Sequence, residues 1–123
     1  MKIKVSDATE LQLDWLVLSI RGVPQFGAPA GRTESSEFAL MHDDDPDLQF
    51  TTNWAQGGPI IERIGGFHMK VWLDSKPNIK CEAHIHNYEG DWIMFGPTPL
   101  IAAMRCYVAS KLGDEVEIPE ELV

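Results

Sequence analysis

Three of the four histidines in this 123-residue chain fall within two short stretches of alternating character. Phe67, Met69, Val71 and Leu73 alternate with His68, Lys70, Trp72 and Asp74, while Ile79, Cys81, Ala83 and Ile85 alternate with Lys80, Glu82, His84 and His86. A period of two sends successive side chains to opposite faces of a strand, so each stretch predicts a strand with one apolar and one polar face. The SKPN residues between them predict a hairpin. Two registers let the apolar faces coincide across that short loop. In one, Lys70 faces Glu82 and His68 faces His84; in the other, Asp74 faces Lys80 and His68 faces His86. Both gather His68, His84 and His86 on one polar face. Paired imidazoles on one strand, with a third across the ladder, are donors of the kind that zinc or nickel takes, and Glu82 is a fourth candidate ligand. The spacing matches no established metal motif, so the plainer reading is a histidine-rich polar face that needs no cofactor.

Other chemistry finds less support. The run HDDDPD sets Asp43, Asp45 and Asp47 at the first ligand positions of a calcium loop. The later positions fail, with Leu48 where the sharp turn needs glycine and Trp54 where a bidentate glutamate is required. It reads as a solvated acidic loop. The chain has no GxSxG, GxxxxGK, GxGxxG or HExxH. Cys106 falls inside a predicted helix and Cys81 on the core face of its strand, positions for packed small side chains rather than activated thiolates. Nothing fixes Glu82 and Glu89 together, so no general acid or base is nominated.

The elements that must position these residues are well marked. Thr98 as cap, Pro99 in the first turn and Gly113 as the left-handed stop predict a helix over 99–112. Leu100, Ile101, Met104, Tyr107, Val108 and Leu112 recur at helical spacing toward the core, and Arg105, Ser110 and Lys111 are expected to face water. Thr9 and Gln12 match a capping box ahead of Leu11, Trp15, Leu16, Leu18 and Ile20, with Gly22 as the stop. The run LQLDWLVLSI also suits a strand, but the bracketing signals favour a helix. In FTTNWAQGGPIIERIGG, Thr52 resembles a cap. Pro59 allows either a kinked helix or a turn from Asn53 into a short helix beginning at Pro59. NYEG turns the chain into a third strand over 91–95, and Val116 and Ile118 suit a short docked strand before Pro119. The expected fold class is α+β, a three-stranded antiparallel meander packed by about three helices, in the order helix, insert, helix, strand, strand, strand, helix. It forms a single domain over 1–123.

Nineteen acidic against ten basic residues give a net charge of −9. Six of the acids, Glu34, Glu37, Asp43, Asp44, Asp45 and Asp47, lie in the proline- and glycine-rich stretch 23–49, which is expected to be a mobile insert. Five more, Asp114, Glu115, Glu117, Glu120 and Glu121, make an acidic tail over 114–123. A phosphate backbone is neutralised by clustered lysine and arginine, which this chain lacks, so direct nucleic-acid binding is disfavoured. No apolar run approaches the roughly 20 residues needed to cross a bilayer. The opening MKIKVSDATE carries no secretory h-region, and two cysteines fall short of a disulfide framework, so a cytoplasmic location is expected. Trp15 and Trp54 are most simply core residues. Trp72, on the polar face of its strand, either packs under a helix or marks an interaction surface.

The segments WAQGGPIIER, residues 54–63, and GPTPLIAAMRCYVASKLGDEVEIPEEL, residues 96–122, resemble the NinX-type family of phage and prophage proteins. LDW at 13–15 fits that family's N-terminal helix. Asn53 stands where the family pattern has aspartate, and the histidine-rich strands match none of its motifs. The resemblance implies a bacterial host cytoplasm and an accessory phage role, and it brings no established catalytic residue, cofactor or partner. The family-like segments locate a candidate binding surface at Trp54, Gln56, Gly57, Gly58 and Pro59, and at Thr98, Arg105 and Tyr107, with Trp72 beside them. A Gly-Gly-Pro kink packed on a capped helix also accounts for most of these residues. The expected function is a non-enzymatic accessory protein that binds a host or phage protein. Its rivals are an acidic decoy imitating nucleic-acid charge and a metal-dependent or small-ligand enzyme using His68, His84 and His86.

Overall fold

The computed structural model describes residues 1–21, 38, 40, 42–73 and 79–123. Along the chain run β1 (Lys2–Lys4), α1 (Glu10–Arg21), α2 (Trp54–Glu62), β2 (Phe67–Leu73), β3 (Ile79–Asn87), β4 (Gly90–Gly96), α3 (Pro99–Leu112) and β5 (Glu115–Glu117). Short 3-10 turns occupy Val5–Asp7, Pro46–Leu48 and Glu120–Leu122. The strands form two antiparallel sheets, β2-β3-β4 and β1-β5, in an α+β fold. Among the described residues no helix is long and apolar enough to cross a membrane. The SKPN loop and Gly22 lie outside the described residues.

The meander takes the first of the two registers, with His68 opposite His84 and Lys70 opposite Glu82. Cys81, Ala83, Ile85 and Met94 are thereby buried on one sheet face, which packs against α3. α3 has the expected limits: the Thr98 hydroxyl accepts from the Ile101 amide at 3.2 Å, and Gly113 closes the helix at φ +92°. Its burial extends beyond one stripe. Ala102, Ala103, Cys106 and Ala109 are buried along with Leu100, Ile101, Met104 and Val108, so the sheet, α1 and α2 all pack against this helix. Leu112, expected in the core, is 48% exposed, because it ends the helix beyond the last packed turn.

α1 is helical as its cap predicts. The Thr9 amide donates to Gln12 Oε1 at 3.0 Å, and the Gln12 amide donates back to the Thr9 hydroxyl at 3.3 Å. Gln12 also donates to the Leu122 carbonyl, which ties the helix start to the tail. α2 is one continuous helix with Pro59 inside it, and its cap is Asn53 rather than Thr52: Asn53 Oδ1 accepts from the Ala55 amide at 3.0 Å. Pro59 withholds one bond from the Ala55 carbonyl, and Ala55 is exposed, which makes the loss tolerable. Trp54, expected in the core, is 56% exposed, because Gly57 and Ile60 are the residues of α2 that turn inward. A Cβ on Gly57 would overlap the Phe50 carbonyl oxygen and stand 2.5 Å from Leu100 Cδ1, so glycine alone lets α2 approach α3 here.

Of the stretch 23–49, residues 23–37, 39 and 41 lie outside the described residues. At its described end, Phe38, His42 and Leu48 are buried, and Asp45 caps the 3-10 turn by accepting from the Asp47 amide. This end docks on an unusual feature of α1, the fully buried Asp14. Asp14 Oδ2 lies 2.6 Å from His42 Nε2, and Asp14 Oδ1 accepts from the Thr51 amide at 2.8 Å. Burial raises the Asp14 pKa above its ordinary value, although the His42 and Thr51 contacts oppose that rise. In the tail, Val116 and Ile118 are buried as expected, and β5 pairs with β1, whose three residues are too few to show a pattern of their own.

Four substitutions test this packing. Asp14→Ala leaves His42 and the Thr51 amide without their acceptor and is expected to cost about 3 kcal/mol, read by urea unfolding. A raised folded pKa makes the Asp14 contribution full below the ordinary aspartate value of about 3.9 and lost as pH rises through the folded value. The native chain is therefore expected to lose stability relative to Asp14→Asn as pH rises through that window, in paired urea titrations. Gly57→Ala is expected to destabilise by about 1–3 kcal/mol through overpacking. Gly58→Ala, whose new methyl meets only the Trp54 ring at 3.9 Å, is expected to be neutral or stabilising in thermal melts.

Candidate functional site

The face of the β2-β3-β4 sheet turned away from α3 carries the side chains with chemical potential. Alternation delivers them in rows across the three strands: His86 and Asp91; His68, His84 and Ile93; Lys70, Glu82 and Phe95; then Trp72 and Lys80. These residues are exposed or half-buried. The rows divide the face into a polar end and an aromatic end.

At the polar end, Asp91 is the centre. Its Oδ1 is hydrogen-bonded to His84 Nε2 and lies 3.4 Å from His86 Nδ1. The hydrogen bond with His84 lowers the Asp91 pKa, with a further contribution from His86. One ligand atom from each of His84, His86 and Asp91 falls within 4.8 Å of the others. The His68 ring stands 5.8 Å from that of His84, centroid to centroid. Glu82 sits one row further along, between Lys70 and Phe95, and is not one of the three converging groups. Sequence reasoning missed Asp91. The signal was present in NYEG, since a tight turn pairing Asn87 with Gly90 sets Asp91 opposite His86.

At the aromatic end, Trp72 meets Phe95 edge-on at 6.3 Å and 83°, and Lys70 Nζ stands 5.6 Å from the Trp72 ring centroid. Ile93 and Phe95 are 45% and 51% exposed. A cleft of about 600 Å³ opens here between Trp72, Lys80, Ile93, Phe95, Ser6 and Arg105. Arg105, expected to face water, is half-buried and holds the cleft floor: Nη1 donates to the Phe95 carbonyl at 2.8 Å and Nη2 to the Ala8 carbonyl at 3.0 Å.

The other residues singled out by sequence are dispersed. Trp54 and Thr98 line a separate, smaller cleft beside Glu10 and Thr51. Gly57 is packed inside, Gln56 donates to Asp47 Oδ1 at 3.2 Å, Gly58 lies beside the Trp54 ring, and Pro59 is exposed on the surface of α2. Tyr107 lines a third cleft with Arg21, Ile60 and Arg63, and burial raises its pKa. Of the named binding residues, Trp72 and Arg105 therefore share a cleft, and Trp54 and Tyr107 do not join them. Both cysteines are fully buried; the Cys106 thiol donates to the Trp92 carbonyl, and desolvation pushes its pKa up to about 11, which disfavours a thiolate.

No curated protein sequence matches the chain. The family model described as bacteriophage P22, NinX, matches residues 4–111, a span that includes α1, the whole meander and nearly all of α3. The match covers most of the chain, which belongs to the phage P22 NinX family.

Proposed function

We propose that this phage accessory protein is non-enzymatic and acts by binding a host or phage protein through the aromatic end of the open sheet face. The observation that carries the reading is the exposure of Ile93 and Phe95 beside Trp72 on a face that α3 leaves bare. Trp72 and Phe95 already hold each other edge-on over a hydrogen-bonded ladder, so little side-chain freedom remains to be lost on binding. Ordered aromatic clusters of this kind are where binding energy concentrates.

Charge selects the partner's chemistry. Lys70 and Lys80 rim the aromatic cluster, above Arg105 on the cleft floor and beside half-buried Glu82, in a chain whose net charge is −9. Such a rim fits a protein surface with an apolar centre and an acidic edge. The exposed acids Asp43, Asp44, Asp47, Glu115 and Glu117 belong to other elements. A decoy imitating nucleic acid would have to bind through those acids rather than through this face.

The test is affinity capture from phage-infected or prophage-bearing bacterial lysate with the native chain, the Trp72→Ala/Phe95→Ala variant and the Trp54→Ala variant. A partner retained by the native chain and by Trp54→Ala is expected to weaken at least about 30-fold with the double variant, the loss of a binding hot spot. Matching thermal melts of the three proteins would confirm that the face alone was changed. Retention that ignores the double substitution, or that tracks only salt concentration as expected of a decoy, would overturn the reading.

A further inference from the structure

The polar end of the open face has a geometry that partner binding does not use. β3 presents His84 and His86 on one face, and the β3–β4 register sets Asp91 directly opposite His86 and diagonal to His84. Both imidazoles aim a ring nitrogen at the same carboxylate oxygen, Asp91 Oδ1, although a carboxylate has two oxygens to share. Three different side chains thus converge on one point rather than pairing off.

We infer that His84, His86 and Asp91 form a binding site for a borderline divalent transition-metal ion, zinc or nickel. Two imidazole nitrogens and one carboxylate oxygen are the donor types these ions take, whereas magnesium and calcium take oxygen donors. Ligand atoms at zinc bond lengths of about 2.0–2.2 Å stand roughly 3.3–3.6 Å apart around a tetrahedral ion. The His86–Asp91 separation of 3.4 Å is already in that range, and the whole set lies within 4.8 Å. To admit an ion the His84–Asp91 hydrogen bond opens and the wider separations close by side-chain rotation, for which exposed His86 and Asp91 have room. His68, across the ladder from His84 with its ring 5.8 Å away, is a candidate for a fourth position.

The backbone beneath the site is held on both sides. The His86 amide donates to the Gly66 carbonyl at 3.0 Å, and a Cβ on Gly66 would overlap the His86 carbonyl, so this close pairing depends on glycine. On the other side, Asn87 Oδ1 accepts from the Glu89 amide at 2.9 Å and closes the turn into β4. A site on a strand pair braced in this way needs little reorganisation to accept its ion.

The test uses the untagged full chain, titrated calorimetrically and by equilibrium dialysis with zinc chloride and with nickel chloride, each in the presence of excess magnesium. One ion is expected to bind per chain and to raise the melting temperature. His84→Ala and Asp91→Asn are each expected to weaken binding by at least about 100-fold, beyond the 10- to 100-fold typical of losing an outer hydrogen-bond partner. Glu82→Gln, which removes a carboxylate one row away on the same face, is expected to bind as the native chain does. Metal-free melts show whether each variant is folded, and His86→Ala replaces any that is not. Absence of saturable one-to-one binding, or binding that survives both ligand substitutions, would overturn the assignment, as would equal loss in Glu82→Gln.

Discussion

The close packing of α3 on the meander determines what the rest of the molecule can do. Ala102, Ala103 and Ala109 offer only methyl groups to their neighbours, and at Gly96 even a methyl would stand 2.8 Å from the Ala102 amide nitrogen. Backbone therefore meets backbone, and the helix buries Cys81, Ala83, Ile85 and Met94 beneath it. α1 and α2 then pack against α3 instead of forming a second layer on the sheet. A three-stranded sheet with its apolar face satisfied can leave the other face to solvent, and antiparallel sheets do this readily. The open face and its two chemical ends follow from that arrangement.

A polar contact locks the helices to the segment that joins them. Burying a carboxylate is costly, and Asp14 is tolerated inside α1 because His42 and the Thr51 amide occupy its two oxygens. Those partners lie on either side of the turn at Pro46–Leu48, so one side chain fixes the path of the chain from 42 to 51. Phe50, at the end of that path, is the residue whose carbonyl Gly57 must clear, and Gly57 in turn seats α2 on Leu100 of α3. Asp14 and Gly57 thus act in series, one orienting the segment and the other admitting the helix that follows it.

Local signals in the sequence carried the elements, and long-range contacts carried most of what was missed. The capping box of Thr9 and Gln12, the Thr98 cap and the Gly113 stop are contacts within a few residues, so residue type and spacing suffice to place α1 and α3. The strands of the meander were legible because alternation is read over seven or nine residues. Asp14 and His42 lie 28 positions apart with undescribed chain between them, and nothing local to either residue announces the pair. β1 is legible only through its partner: Lys2 and Lys4 stand opposite Glu117 and Glu115, so part of the acidic tail serves as a ladder for basic residues. Trp54 was misplaced because size and hydrophobicity suggest burial, whereas its position at the start of α2 directs it outward.

Register connects the two faces of the sheet. With β3 held by β4 and α3, a slip of one residue between β2 and β3 would turn Phe67 and Met69 to water and His68, Lys70 and Trp72 inward, so the core itself forbids it. A slip of two residues keeps every apolar side chain inside and would set His68 opposite His86, and burial cannot exclude it. Gly66 can. In the observed register it falls opposite His86, where the ladder continues through the His86 amide and the Gly66 carbonyl and where a side chain would collide with the strand. The slipped register would set the glycine opposite the exposed Tyr88 instead and waste its tolerance of close backbone approach. A residue with no side chain therefore decides which imidazoles meet across the ladder, and with them the chemistry that the open face presents.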